Sequence, residues 1–303
     1  MIERLLIILL DGVGLGDDDP EANPFMHADL LALRGLLGGR RPVRANGGLS
    51  TPHATLLPLD AQLGIPGLPQ SGTGQTTILT GVNAPALLGR HYGPYPNQPL
   101  RDLLDNGSLF RQLLAAGQPV AFANAYPDRF LDRLGRGTER LSANTRAALL
   151  AGLKLRGPVD LKAGRAVSAL LTNEYWRNWG YDMPELSAGD AGAQLARLTD
   201  DHALTYFEFW YTDVAGHRQD RDLSLHVLNM LDQFIGGALD TLDLSRSLLM
   251  VVSDHGNFED WRTPKHTHNP ALALLAGAGH QTMASRLQSL QDVTPTLKAI
   301  LLA

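Results

Sequence analysis

A chain of 303 residues, 44% hydrophobic and 19% charged, has a globular composition and is long enough for one large core or a core plus a small second domain. Its formal net charge is −5 and its Lys and Arg residues are scattered, which argues against a nucleic-acid-binding face. With 10 His and no Cys, a disulfide framework, a zinc–thiolate site and a thiol nucleophile are excluded, so any transition-metal site must be built from imidazoles and carboxylates.

The first element is the apolar run Leu5–Leu10, which ends in Asp11-Gly12 as a central parallel strand ends in a loop. It is far shorter than the roughly 20 residues that span a bilayer. It also lacks a basic leader and a small-residue cleavage site, so a soluble, cytoplasmic protein with no membrane partner is expected. "GDDDP" (16–20) reads as a solvated turn. In "LPQSGTGQTTILTGVNA" (68–84), Ser71 precedes small residues and then "TTIL", which can start a helix. A hydroxyl there meets unpaired N–H groups and the positive end of the helix dipole, which favours an alkoxide or a bound phosphate. The alternative is a simple N-cap serine. No Gly-Lys-Ser/Thr follows, so this is not a Walker A loop.

The Pro/Gly-rich loop "GRHYGPYPNQP" (89–99) follows, from which Arg90, His91 and Tyr92 can reach back toward Ser71. "SLFRQLLAAGQPVAFANAY" (108–126) reads as a helix, a glycine stop at Gly117 and a strand. Residues 127–202 have helix-like stretches and few convincing strands, and are expected to form a small helical cap inserted into a core made of 1–126 and 203–303. Arg129, Arg136, Arg140, Lys154 and Arg165 in that insertion are either substrate contacts or a solvated helix face. Tyr175, Trp176, Trp179 and Tyr181 can stack on a base or sugar, or pack the cap onto the core. "ALTYFEFWYTD" (203–213) reads as a strand ending in Asp213. A long amphipathic helix over 222–242 and strands over 247–254 and 270–279 complete the pattern. Strands alternating with helices predict an α/β fold with a mostly parallel central sheet and helices on both faces.

Acidic, imidazole and hydroxyl residues recur where apolar runs stop. Asp11 follows "LLIILL", Asp213 and His217 follow "YFEFWY", and Asp254 and His255 follow "LLMVVS". In open α/β sheets ligands bind at the carboxyl ends of strands, so these residues can converge although they are distant in sequence. Carboxylates mixed with imidazoles suit Zn or Mn better than Ca. Each segment alone also has an ordinary reading as a turn, a helix cap or a polar loop. Their joint placement is what favours a site.

Asp11-Gly, Ser71-x-x-Gly, Asp213-x-x-Gly-His217, Asp254-His255-Gly-Asn and His266-Thr-x-Asn-Pro, together with "LQDVTPTLKAIL" (290–301), resemble the alkaline phosphatase superfamily. The branch they resemble holds cofactor-independent phosphoglycerate mutase and phosphopentomutase. The resemblance covers about residues 1–90 and 203–303. It implies two divalent ions (Mn, Zn or Mg), one on Asp213, His217 and His266, the other on Asp11, Asp254 and His255, with Ser71 as ligand to the second and as nucleophile. Thr73, Arg90 and His91 are the expected substrate contacts. Glu259, Asp260 and His268 are not expected to bind metal. Two departures stand out: Gln75 replaces the His usual in the mutases after Ser71-x-x-Gly, and the mutase's large inserted domain is replaced by a much shorter segment.

The expected activity is dinuclear-metal-dependent phosphoryl transfer on a small phosphorylated substrate, as a phosphatase acting through a phosphoserine. A phosphomutase is the alternative, and a non-catalytic metal-binding protein of the same fold is the alternative from a different class. A sulfatase is disfavoured because the Ser-x-Pro-x-Arg pattern is absent around Ser71, and a zinc peptidase would not need Ser71. The sequence leaves the oligomeric state open.

Overall fold

In the computed structural model, which describes residues 2–137 and 139–302, the N-terminal apolar run is a strand at the centre of a six-stranded sheet. In chain order the strands are β1 (Arg4–Leu10), β2 (Ala54–Leu59), β3 (Val120–Phe122), β4 (Asn124–Ala125), β5 (Val167–Ser168), β6 (Leu204–Phe209), β7 (Ser247–Ser253) and β8 (Ala271–Gly277). The large sheet has the order β2-β8-β7-β1-β6-β3, and β4 pairs with β5 separately. β1 runs parallel to both β6 and β7, and β3 runs parallel to β6. β8 is antiparallel to both its neighbours, β7 and β2. The expected mostly parallel sheet is therefore present, with one reversed strand. The reversal has a simple cause. The chain leaves β7 at its carboxyl edge, makes the loop 254–270 there, and re-enters the sheet from the same edge.

Alternation along β1 builds a core on each face. Leu6, Ile8 and Leu10 pack with Phe207, Phe209 and the apolar side of the Arg221–Thr241 helix (Val227, Leu231, Phe234, Ile235). Leu5, Ile7 and Leu9 pack with Met250, Val252, Phe110 and Leu113, and with Ile78 and Leu79 of the Ser71–Thr80 helix. Burying each such side chain stabilises the fold by about 1.5–3 kcal/mol. The long helix is capped by Asp220, whose side chain accepts from the Leu223 amide.

Residues 127–202 hold the helices Asp128–Gly135, Ala143–Leu150, Pro158–Lys162, Glu174–Asn178 and Ala188–Arg197. Two of them are tied into the cores. Ala143, Ala147 and Ala148 bury into one face, and the Ala188–Arg197 helix lies against the Arg221–Thr241 helix in near backbone contact. A Cβ on Gly192 would fall 1.9 Å from the Phe234 carbonyl oxygen, and one on Gly237 would fall 1.9 Å from that of Gly189.

One boundary differs from the expectation. The strand expected over 203–213 stops at Phe209, and a helix, Tyr211–Arg218, begins before Asp213. Thr212 forces the turn by donating its hydroxyl to the Asp11 carbonyl oxygen at 2.6 Å, which pulls the chain off the sheet. No helix among the described residues is long and apolar enough to cross a membrane.

The helix contact gives a stability test. Gly192→Ala or Gly237→Ala should destabilise the protein by at least the roughly 1–3 kcal/mol typical of overpacking, because backbone rather than a flexible side chain must move. Urea unfolding of each variant beside Gly35→Ala, where an added Cβ meets nothing within 4 Å, measures it. Equal midpoints would refute the contact.

Candidate active site

β7, β1 and β6 are adjacent and parallel, and Leu10 is level with both Ser253 and Phe209. Their carboxyl ends therefore deliver Asp254, Asp11 and the Asp213 helix side by side. Asp213 and His217 are four residues apart on that helix, on one face, with His217 Nε2 3.3 Å from Asp213 Oδ2. Gly12 lies between the acids at φ +72°. Its amide donates to Asp254 Oδ1 at 3.2 Å, and a Cβ there would lie 2.7 Å from Asp213 Oδ1. Only glycine fits both constraints.

Ser71 enters from the opposite side. It is the first residue of the Ser71–Thr80 helix, one position past the N-cap, which is Gln70. The helix start is pressed against the site by two glycines. A Cβ on Gly72 would lie 2.6 Å from the Tyr92 carbonyl oxygen, and one on Gly74 would lie 2.7 Å from that of Asp254. Ser71 Oγ donates to Asp11 Oδ1 at 3.3 Å and lies 3.0 Å from His255 Nε2. All seven residues expected at the site thus gather in one cluster. His255 Nε2 is 3.2 Å from Asp11 and 3.8 Å from Asp254 Oδ2, and His266 Nε2 is 3.6 Å from Asp213 Oδ1.

The three histidines share one arrangement. Nδ1 of His217 donates to the Pro264 carbonyl at 2.7 Å, that of His266 to Pro69 at 2.6 Å, and that of His255 to Gly256 at 3.3 Å. Each tether fixes the orientation of its ring and turns Nε2 toward the carboxylates. His255 and His266 stack with centroids 3.8 Å apart. Burial, and then the charge of His255, depresses His266 to about 4, so it stays a neutral donor.

Among the described residues, Asp11, Asp213 and Asp254 form ion pairs with these histidines and with no Lys or Arg. Burial, and then Asp254, raises Asp11, and burial raises Asp254. Burial opposes protonation of His255, but Asp254 and Asp11 outweigh it and raise its pKa. Asp254 Oδ2 and Gln75 Oε1 are buried without a hydrogen-bond partner. Ligand atoms of Asp213, His217 and His266 lie within 4.8 Å of one another, as do those of Asp11, Asp213 and His255. Hard and borderline donors, an excess of buried negative charge and an orphaned carboxylate oxygen fit divalent cations. Asp213 belongs to both groups, whereas the expected division put it in one.

Other residues of the same loop brace it. Glu259 accepts from the amides of Gly14 (2.7 Å) and Asn257 (2.9 Å), from Asn269 Nδ2 (3.0 Å) and from the Thr267 hydroxyl. Asp260 pairs with Arg262, and His268 is exposed. Asn257 donates to Asp213 at 3.0 Å, and Gln75 donates to Asp11 at 3.3 Å from the position where the mutases usually carry His.

A cavity of about 390 Å³ opens above Ser71, Asp11 and Asp213. Thr73, Arg90 and His91, the expected substrate contacts, do not line it. The Thr73 hydroxyl is used between the Gln70 carbonyl and the Tyr92 amide, Arg90 lies over the Tyr92 ring, and His91 bonds the Ile65 carbonyl. Pro94 and Tyr95 of the same loop line the cavity instead. Of the five basic candidates in 127–202, only Arg140 lines it. Arg129 stacks on Trp179, and Arg165 pairs with Asp160. Sequence reasoning missed Glu208, a 4%-exposed carboxyl in the cavity wall that accepts from Asn144 at 2.9 Å and Ser142 at 3.1 Å. Its signal was one acid within the apolar run "YFEFWY". Burial pushes its pKa up to about 7.

Residues 179–303 match the family model described as the Metalloenzyme superfamily. A 2,3-bisphosphoglycerate-independent phosphoglycerate mutase of Pyrococcus abyssi is 25% identical over 131 residues, 40% of this chain and 32% of that protein. The chain thus spans about a third or less of the length of the curated relatives it matches. Among solved structures, the PH0037 protein of Pyrococcus horikoshii aligns over 99% of this chain and 97% of its own, with TM-score 0.61 and 14% identity. The alkaline phosphatase of the Antarctic bacterium TAB5 aligns over 99% and 98%, with TM-score 0.55 and 10% identity. The structural likenesses speak for the fold, the family-model match for residues 179–303, and the sequence likenesses for about 40% of the chain. Together they bear out the resemblance carried by the motifs.

Glu208 gives a pH test on metal-free protein. Its folded pKa lies above the ordinary carboxyl value of 4.5, so the folded state holds a proton the unfolded state has lost, and stability falls as pH rises from about 4.5 through about 7. Glu208→Gln removes this term. Relative to the parent, the variant should gain on the order of 3 kcal/mol between pH 4 and pH 8. Denaturant melts at both pH values measure the gain, and a pH-independent difference would contradict the buried, protonated carboxyl.

Proposed function

We propose that the protein is a divalent-metal-dependent phosphoryl-transfer enzyme that hydrolyses a small phosphate ester through a phosphoserine on Ser71. The observation that carries this reading is the position of Ser71 Oγ. It lies at the start of a helix, on the cavity floor, 3.3 Å from Asp11 and 3.0 Å from the Nε2 of a backbone-tethered histidine. Asp213, His217 and His266 would hold one ion. Asp11, Asp254 and His255 would hold another with Ser71, and Asp213 stands near enough to both to be shared. Bound divalent ions supply the positive charge that lowers the hydroxyl pKa of Ser71 and offsets the charge of the phosphoryl group.

The protein's own residues account for the rest. The Asp11 carboxylate and the helix start hold Ser71 Oγ toward the cavity, where it attacks phosphorus in line with the ester oxygen. The Ser71 hydroxyl gives up its proton to solvent, the new O–P bond forms as the ester P–O bond breaks, and the leaving oxygen takes a proton from solvent. Water then attacks the phosphoserine, releasing inorganic phosphate and restoring the Ser71 hydroxyl. The Ser71 and Gly72 N–H groups, helped by the helix dipole, offer donors to the phosphoryl oxygens, while those of Thr73 and Gly74 are bound to the Tyr92 and Gln70 carbonyls. Glu208, whose pKa burial pushes up to about 7, is an additional titratable group in the wall. A phosphomutase is the second reading, favoured by the name of the P. abyssi relative. It differs in the last step only, where a second hydroxyl on the substrate takes the phosphoryl group in place of water.

Ser71→Ala and Asp254→Asn should each lower turnover of a generic aryl phosphate at least 10³-fold while leaving circular dichroism unchanged. Chelation should abolish activity, and Mn or Zn should restore it. Full activity in Ser71→Ala would eliminate the covalent route. Isomerisation of a phosphate ester without phosphate release would select the mutase reading.

A further inference from the structure

The cavity above Ser71 has a side chamber. A second space of about 280 Å³ adjoins it, and Tyr126, Phe130, Ala169 and Trp210 line both. Trp176 and Trp179 line its far side. The rings are held in place by hydrogen bonds and by contacts with one another and with Arg129. The Tyr126 hydroxyl bonds Thr145 at 2.8 Å, and its ring stacks on Phe130 with centroids 4.5 Å apart. The Trp176 indole N–H donates to Ser168 at 3.2 Å. The Arg129 guanidinium sits 4.1 Å from the Trp179 ring centroid. Trp210, 39% exposed, lines both the chamber and the cavity above Ser71, and Trp179, 43% exposed, lines the chamber only. Flat, rigid aromatic walls of this kind favour a flat partner over a flexible chain, which would leave the ring faces incompletely covered.

The other extension of the cavity is a groove of about 600 Å³ lined by Arg101, Arg140 and Arg146. Its charges are mostly committed. Arg146 is bidentate on Asp105, and Arg101 is bound to Gln98 and to the Pro96 carbonyl. That leaves Arg140 alone for an anion, a weaker case than five convergent rings.

We infer that the side chamber binds the leaving group of the substrate, and that this group carries a planar aromatic ring, either the base of a nucleoside monophosphate or a simple aryl group. The inference rests on Ser71 being the phosphoryl-transfer site. The ring lies between Trp210 and Phe130, and the phosphate reaches Ser71 through the opening they share. Trp210 and Phe130 then set specificity by stacking, at roughly 1–3 kcal/mol per ring for comparable base–aromatic contacts.

Metal-loaded protein tests this. Phosphate release from adenosine 5′-monophosphate and from ribose 5-phosphate compares one ester with and without a base. Inhibition by phenylphosphonate and methylphosphonate compares an aryl with an alkyl group and involves no bond cleavage. The expected result is at least a tenfold preference for the ring-bearing member of one pair, and which pair shows it identifies the source of the ring. Trp210→Ala should bring that preference below threefold, with Trp210→Phe retaining most of it and both variants keeping the parent's thermal midpoint within a few degrees. Quenching of tryptophan fluorescence by the preferred ligand should fall in parallel. Turnover with no ring preference in either pair, or a preference that survives both Trp210→Ala and Phe130→Ala, overturns the inference and leaves the catalytic reading standing. No turnover of any ester, with ring-dependent quenching intact, overturns the catalytic reading and supports the side chamber.

Discussion

The structure is organised around an electrostatic debt at one edge of the sheet: three carboxylates, Asp11, Asp213 and Asp254, converge with no Lys or Arg among them. An uncompensated buried carboxylate costs several kcal/mol, and here Asp11 and Asp254 are raised by burial, while His255 and His217 are raised by the carboxylates beside them and Asp213 is lowered. Such a cluster persists only because the rest of the fold holds it. β7, β1 and β6 must be neighbours for the acids to meet. Gly12 must lack a side chain for the backbone to pass between them, and Gly74 must lack one for the Ser71 helix to come within reach. Stability sacrificed at a strand edge in this way is what a fold that binds multivalent cations requires.

The loop 254–270 separates two tasks that its composition mixes. Asp254, His255 and His266 face the cluster, whereas Glu259 spends both oxygens on the loop's backbone and on its neighbours Thr267 and Asn269. Because β8 is antiparallel, the loop begins and ends at the same sheet edge, and the Gly256–Thr267 bridge closes it. His266 is thereby returned to within stacking distance of His255 eleven residues after the chain left it. A buried glutamate that satisfies amides, rather than a cation, gives the histidines a rigid frame without adding charge to the ligand set.

Much of this was legible because the chemistry follows local rules. An acid directly after an apolar run marks a strand's carboxyl end, and this located Asp11 and Asp254. The four-residue spacing of Asp213 and His217 is a helical signature, yet the aromatics up to Tyr211 carried the strand reading past Phe209, and only the long-range bond from Thr212 to Asp11 ends it. The edge strand β2 contains Pro58, which reads against a strand and is tolerated because β2 has a neighbour on one side only. Substrate contacts were the least legible. Thr73, Arg90 and His91 are close to Ser71 in sequence, but Thr73 and His91 spend polar atoms on fastening the loop, Arg90 lies over the Tyr92 ring, and Arg140, Ser142 and Glu208 from distant segments line the cavity. Proximity in sequence selects what positions the serine, while proximity in space selects what touches the substrate.

The 127–202 segment bears on hydrolysis against mutation of the phosphoryl position. A mutase has to retain its half-transferred intermediate, which is easiest when a separate domain closes over it. Here the segment is stitched to the core at several points. The Ala188–Arg197 helix lies against the long helix at backbone distance, the Ala143–Leu150 helix is buried in the second core, and Asn144 and Ser142 are bound to Glu208 on the central sheet. Opening such a segment as a rigid body would expose apolar surface and break the hydrogen bonds to a buried carboxyl together. On the proposed reading, a wall fixed in this way would shape one side of the cavity permanently, and the exposed Trp210 and Tyr95 at its rim would leave solvent a route to Ser71. That combination, a static specificity wall and an accessible serine, suits water as the final phosphoryl acceptor better than a retained intermediate.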